Sequence, residues 1–136
     1  MKYDLETIQF INLFEKKTQT NVKDCFFENG LLIFIVMPGQ ASKAVGKQGI
    51  NVKQLASLIN KKIKIVEFNE NPIRFIKSYI APITAEDITA ENDVIFIKAS
   101  STKDKGMLIG RDANRLNHLK KITQKYYPNV KDIKIV

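Results

Sequence analysis

Leu5, Ile8, Ile11 and Phe14, with Phe10 beside them, recur at the three- and four-residue spacing that gathers apolar side chains on one helix face. Cys25-Phe26-Phe27, the polar Glu28-Asn29-Gly30 and the apolar run from Leu31 to Met37 then read as two short strands joined by a turn. Asn29-Gly30 is a strong hairpin signal, because both residue types tolerate the positive φ that a tight turn needs. A short helix is expected over Ala41–Val45, followed by the loop Val45-Gly46-Lys47-Gln48-Gly49-Ile50 and a longer helix carrying Val52, Leu55 and Leu58. Lys62–Phe68 alternates as a strand and closes the segment.

The whole order then returns. Ile8-Gln9-Phe10-Ile11 reappears as Ile73-Arg74-Phe75-Ile76, 65 residues on, behind a Pro72 suited to a first helical turn. Glu91-Asn92-Asp93 takes the place of the turn, before a strand from Val94 to Ala99; Asp93 in place of Gly30 leaves a different turn type open. A short helix over Thr102–Ile109 leads to a second loop, Ile109-Gly110-Arg111-Asp112-Ala113-Asn114. Leu116, Leu119 and Ile122 follow Val52, Leu55 and Leu58 at a spacing of 64, and Val130–Val136 reads as the last strand. Leu55, Leu58, Leu119 and Ile122 are the residues of these helices expected in the core.

A period of about 64 exceeds the ~20–50 residues of repeat arrays, so the chain reads as two copies of one domain, 1–69 and 70–136. Each has the order α-β-β-α-α-β. The hairpin pairs antiparallel and a crossing through two helices returns the last strand parallel. The expectation is an α+β fold, with a mixed three-stranded sheet in each copy covered on one face by three helices. Asn69-Glu70-Asn71 is too short for a flexible tether, which predicts that the two copies are held fixed.

Composition narrows the function. A hydrophobic content of 44%, with only six Gly and four Pro, suits a packed core rather than disorder. No apolar run reaches the ~20 residues that span a bilayer. Met1-Lys2-Tyr3-Asp4-Leu5-Glu6 places acids where a signal peptide needs a basic stretch, so no membrane association and a cytoplasmic location are expected. The lone Cys25 has no partner for a disulfide or a metal and sits in an apolar strand. His118 reads as a surface residue. Glu86, Asp87 and Glu91 lack a companion histidine or second cluster, and no phosphate loop ending in Gly-Lys-Ser/Thr occurs. Neither catalytic nor metal-binding residues, nor a cofactor, are expected. Pro128 accounts for a helix stop after Tyr126-Tyr127, although the tyrosines could stack on bases.

The net charge of +8 is unevenly spread. Residues 39–64 hold six Lys and no acid; residues 101–125 hold five Lys, two Arg and two Asp. Everything outside those windows is acidic on balance. A lone basic run is ordinarily a solvated helix face. Two runs, each surrounding the same loop of a repeated unit, point instead to phosphate. Gly46 can end one helix in a left-handed conformation, and Gly49 lets a phosphate approach the backbone. Free amides opening the Ile50 helix would face that phosphate, with Lys43, Lys47 and Lys53 adding attraction.

An α-β-β-α-α-β unit with Gly46-Lys47-Gln48-Gly49 between its helices resembles the type II KH domain, and the tandem resembles the KH pair of NusA-like transcription factors, in their short archaeal form. The resemblance covers essentially the whole chain. It implies a non-enzymatic protein that binds single-stranded RNA in transcription elongation, termination or antitermination, with RNA polymerase as a further partner; separately, a monomer is expected. The implied RNA-binding residues are Lys43, Ala44, Val45, Gly46, Lys47, Gln48, Gly49, Ile50 and Lys53 in the first copy, and Ile109, Gly110, Arg111, Asp112, Ala113, Asn114 and Arg115 in the second. Ala44, Val45, Ile50, Ile63 and Ile65 would floor the first groove; Leu108, Ile109 and the region of Ile133 would floor the second. Ribosome assembly or translation is the alternative process, and a protein-interaction module that has lost RNA is the alternative class. Ala113 and Asp112 depart from the motif, so the first copy is expected to dominate.

Overall fold

The structure is a computed structural model and describes residues 4–136. Met1, Lys2 and Tyr3, on which the signal-peptide reading and the start of the first expected domain rest, lie outside the described residues. The chain divides into two compact units, Met1–Asn69 and Glu70–Val136.

The first unit runs α1 (Leu5–Thr18), β1 (Val22–Glu28), β2 (Leu31–Val36), α2 (Ala41–Val45), α3 (Ile50–Ile59) and β3 (Lys62–Glu67). Asp4 caps α1 by accepting the Thr7 amide at 2.7 Å, and that bond holds its carboxyl below the usual range. Strand β2 lies in the middle, antiparallel to β1 and parallel to β3. Phe14 from α1, Ala44 from α2 and Leu55 from α3 meet Leu32, Phe34 and Val36 on one face of the sheet. The Phe14 and Phe34 rings stack at 4.1 Å between centroids. Ile33 and Ile35 are fully buried as well, so β2 is apolar and covered on both faces.

The second unit repeats this order as α4 (Pro72–Ile80), β4 (Ala85–Glu91), β5 (Val94–Ala99), α5 (Thr102–Ile109), α6 (Asn114–Tyr126) and β6 (Asp132–Ile135). Its sheet is again mixed, with β5 central, antiparallel to β4 and parallel to β6. Both hairpins carry a bulge near the start of the outer strand. There Asp24 and Asp87 turn their carboxylates onto the amides of Cys25 and Ile88, each at 2.9 Å.

Several expectations are corrected. Asp93 does not change the turn: Asn92 and Asp93 sit at φ 52 and 65, as Asn29 and Gly30 sit at 48 and 79. Aspartate adopts the left-handed region more readily than most residues, so the same tight turn forms. The last strand starts at Asp132 rather than Val130, because the Val130 amide closes a turn onto the Tyr127 carbonyl at 3.0 Å. His118 is half-buried rather than a surface residue. Leu58 is 67% exposed, not core; one position on, Ile59 packs against the core instead. Cys25, by contrast, is buried as its apolar strand implies, and burial foremost, with the Asp24 carboxylate second, pushes its thiol up to about 12.

Leu55 and Leu58 therefore differ in what truncation costs. Leu55→Ala is expected to destabilise the first unit by about 2–5 kcal/mol and Leu58→Ala by less than about 0.5 kcal/mol. Urea unfolding followed by circular dichroism measures both, and equal losses would refute the placement of Leu58.

Candidate nucleic-acid interface

Helices α2 and α3 are joined by a 3-10 turn, Lys47–Gly49, that needs three positive-φ residues. Gly46 has φ 81 and ψ 169, a region open essentially to glycine alone rather than the left-handed helical region expected from sequence. Gln48 (φ 55, ψ 27) and Gly49 (φ 75, ψ 18) are left-handed. The second loop follows the same path: Gly110 at φ 75 and ψ 175, Asp112 at 54 and 30, Ala113 at 60 and 22. Ala113 thus reproduces the backbone of Gly49 and carries the strain of an L-residue there.

The glycines serve different ends. A Cβ on Gly46 would stand 2.8 Å from Asn51 Cγ, while one on Gly110 would strike Asn114 Oδ1 and stand 2.8 Å from Arg115 Cγ. These first glycines allow the loop to lie against the next helix. A Cβ on Gly49 would meet only Lys53 Cε, at 3.9 Å, so space is open there and φ alone favours glycine. The same contact places the Lys53 stem alongside the loop. Asn51, which the sequence pattern did not single out, donates from Nδ2 to the Lys43 carbonyl at 3.1 Å and ties α3 to α2 across Gly46.

Two of the amides expected to face an anion are already engaged. Gly49 N–H donates to the Gly46 carbonyl at 3.1 Å, and Ile50 N–H donates to that of Lys47. The outward face of the turn consists of exposed Lys47 and Gln48, flanked by exposed Lys43 and Lys53. Ile50 is 49% exposed beside them, and Val45, Ile63 and Ile65 are half-buried. Ala44 is fully buried and belongs to the core, not the groove floor; Leu108 and Ile133 are likewise buried in the second unit. A small residue at the end of a short helix packs inward as readily as it lines a surface, which is why the sequence misplaced Ala44.

Around the second turn, Arg111, Asp112, Asn114 and Arg115 are exposed, and Ile109 and Ala113 half-buried. Polar Asn114 occupies the place of Ile50. Lys120, counted in the second basic window, is paired with Asp132 at 3.0 Å, a bond that lowers the Asp132 carboxyl together with the Ile133 amide. In the first unit the register puts Lys62 where Asp132 stands in the second. Among the described residues, no group of three or more His, Cys, Asp or Glu could hold a metal ion, and no helix is long and apolar enough to cross a membrane.

No family model matches the chain. Similarity to whole proteins is clear. A protein named "Probable transcription termination protein NusA" from Methanococcus vannielii is 32% identical, over 100% of this chain and 80% of that protein. Proteins of the same name from Methanocaldococcus jannaschii and Halococcus morrhuae are 28% and 24% identical, over 96% and 94% of this chain and 73% and 93% of their own lengths. A solved structure described as "Crystal structure of APE1850" matches with a TM-score of 0.70 at 26% identity, over 98% of this chain and 100% of that one.

Substitutions in the loops separate steric from conformational need. Gly46→Ala is expected to unfold or distort the α2–α3 junction, while Gly49→Ala costs about 1 kcal/mol. Ala113→Gly relieves strain and stabilises the second unit by up to about 1 kcal/mol. Thermal or urea unfolding of the three variants checks the order, and a destabilised Ala113→Gly would contradict it.

Proposed function

The chain belongs to the NusA family of probable transcription termination proteins, and on that footing we propose that it is a single-stranded RNA-binding factor of transcription without enzymatic activity. Its two units act as type II KH domains, each gripping the sugar-phosphate backbone through its glycine turn. The observation that carries this reading is the shared backbone of residues 46–49 and 110–113. Two sequences that differ at three of four positions keep a path that disfavours non-glycine residues. Such retention of strain suits a turn whose shape is used.

The physics of the first turn fits an extended polyanion. Lys43, Lys47 and Lys53 surround it without an acid among them, and the start of α3 adds the positive end of a helix dipole. The Gly49 and Ile50 amides close the turn, so the contact rests on the lysine side chains. Exposed Ile50 and half-buried Val45, Ile63 and Ile65 offer an apolar wall to unstacked bases. Duplex RNA keeps its bases stacked and its edges paired, and is the weaker ligand.

The first unit dominates. Gln48 and Ile50 there are replaced by Asp112 and Asn114, which set a carboxylate toward the phosphates and remove an apolar contact. Charge repulsion at a few ångströms in a solvated groove is worth on the order of 1 kcal/mol, or several-fold in affinity. Arg111 and Arg115 offset part of it.

Lys47→Asp with Gln48→Asp is expected to abolish RNA binding by the first unit and leave the fold intact, because Asp112 already occupies the matching left-handed position in the second turn. Electrophoretic mobility shift with a short single-stranded RNA, beside circular dichroism, checks both halves; unchanged affinity with an intact fold would remove the first turn from the site. Salt tests the ligand class. Three phosphates neutralised by Lys43, Lys47 and Lys53 give a log–log slope of affinity against salt of roughly −2. A flat slope would rule out backbone recognition. Lys47→Glu is expected to cost more affinity than Arg111→Glu, and the reverse order would make the second turn the principal site.

A further inference from the structure

The two copies are in step from their glycine turns into the following helices at a spacing of 64, but their last strands are not. Pairing aligns Leu31 with Lys62 in the first sheet and Val94 with Asp132 in the second, a spacing of 70 between the strands. The second unit therefore carries six residues after Ile122 that the first lacks. They extend α6 to Tyr126 and form the turn beyond it.

This insertion is anchored. The Tyr126 and Tyr127 rings each pack 5.7 Å from the centroid of buried Phe75. The Lys131 amide donates to the Asp93 carbonyl at 2.8 Å, tying the turn to the tip of the β4–β5 hairpin. At this junction lies a cleft of about 560 Å³, whose walls include Pro72, Tyr126, Tyr127 and Pro128 together with Glu91 and Asp93. Both carboxylates are exposed at its rim, and both tyrosines are half-buried.

The chemistry differs in sign from the turns. The residues lining the cleft include the carboxylates of Glu91 and Asp93 and neither lysine nor arginine, in a chain whose net charge is +8. Carboxylates beside tyrosine faces repel phosphate and attract a guanidinium or ammonium group, by charge-assisted hydrogen bonds and by the ring quadrupole. The Tyr126 ring already has one cation near it: Lys125 Nζ lies 5.5 Å from its centroid. Two prolines and two tyrosines add rigid apolar surface for the aliphatic stem of such a side chain and its neighbours, a composition frequent where proteins meet. With thirteen residues, α6 sets the cleft at its end roughly 18 Å from the glycine turn at its start.

We propose that this cleft docks an arginine or lysine side chain of a partner protein. On the reading of the turn as an RNA site, α6 then carries RNA at its first residues and protein at its last, with room for both at once. The insertion is the device that gives the second unit this role while its turn is the weaker RNA ligand.

The test uses the full chain, labelled with 15N, titrated with N-acetyl-arginine amide, its neutral isostere N-acetyl-citrulline amide, and spermidine. The arginine derivative is expected to give saturable shifts in the millimolar range at amides of residues 91–95, 126–127 and 129–131, the citrulline derivative none. Glu91→Gln with Asp93→Asn is expected to abolish those shifts; Asn92 shows that an asparagine is at ease at positive φ in this turn. Equal shifts with citrulline, or shifts that survive the double substitution, would overturn the proposal. So would shifts from spermidine with none from the arginine derivative, since the ligand would then be a free polyamine. RNA affinity of the double variant is expected not to fall; a fall would overturn the separation of the two sites. The titration contains no RNA, so its result stands apart from whether the turns bind it.

Discussion

Each unit depends on a reversal of the chain between two helices in four residues, three of them at positive φ. Left-handed backbone costs an L-residue roughly 1–2 kcal/mol, so Gln48 in the first turn and both Asp112 and Ala113 in the second are strained. The strain persists because both ends of the turn are held. Ala44 and Leu55 bury α2 and α3 in the first core, and Leu108 and Leu119 are buried on α5 and α6 in the second. Gly46 and Gly110 complete the constraint by leaving no atom between the turn and the first residues of the next helix. A turn pinned this way presents Lys47-Gln48 or Arg111-Asp112 outward without any choice of conformation, which lowers the entropy cost of holding a ligand there.

Within that shared backbone the two surfaces have diverged one residue at a time. Ile50, Asn51 and Lys53 of the first unit stand where Asn114, Arg115 and Asn117 stand in the second. Asn51 spends its amide on the Lys43 carbonyl, whereas Arg115 covers Gly110 with its Cβ and Cγ. The same job, closing the helix junction over a glycine, is done by a hydrogen bond in one copy and an aliphatic stem in the other. That leaves the Arg115 guanidinium beyond the stem, and it partly offsets the acid at Asp112.

Much of this was legible in the sequence, and the failures share a cause. The repeat, the order of elements, and helices such as Ala41–Val45 and Thr102–Ile109 could be read because apolar spacing and turn residues report local geometry directly. Spacing marks the direction of a buried face, not how far around the helix burial extends. Leu58 and Ile59 are neighbours on that arc, and only the outline of the first unit decides that Ile59 packs and Leu58 does not. The same limit sent Ala44 and Leu108 to a surface when they are core. The six-residue insertion was hidden because Val130 and Lys131 continue the alternation of the last strand. Only pairing to β5 shows where that strand begins.

Net charge proved a coarse guide for a related reason. Lys62 and Lys64 swell the first basic window, yet they pair across to Leu31 and Ile33, on the sheet face away from the helices. In the second window Lys120 is committed to Asp132. With a screening length near 8 Å at physiological salt, a cation on the far side of a sheet contributes little to a phosphate at the turn. The charges on or flanking the turns are Lys43, Lys47 and Lys53 in one unit, and Arg111 and Arg115 set against Asp112 in the other. The totals of the two windows differ by a single charge, but the local sets differ in kind. One holds cations alone, while the other holds a carboxylate inside the turn itself. On the proposed function, affinity for a polyanion follows that arrangement rather than the total.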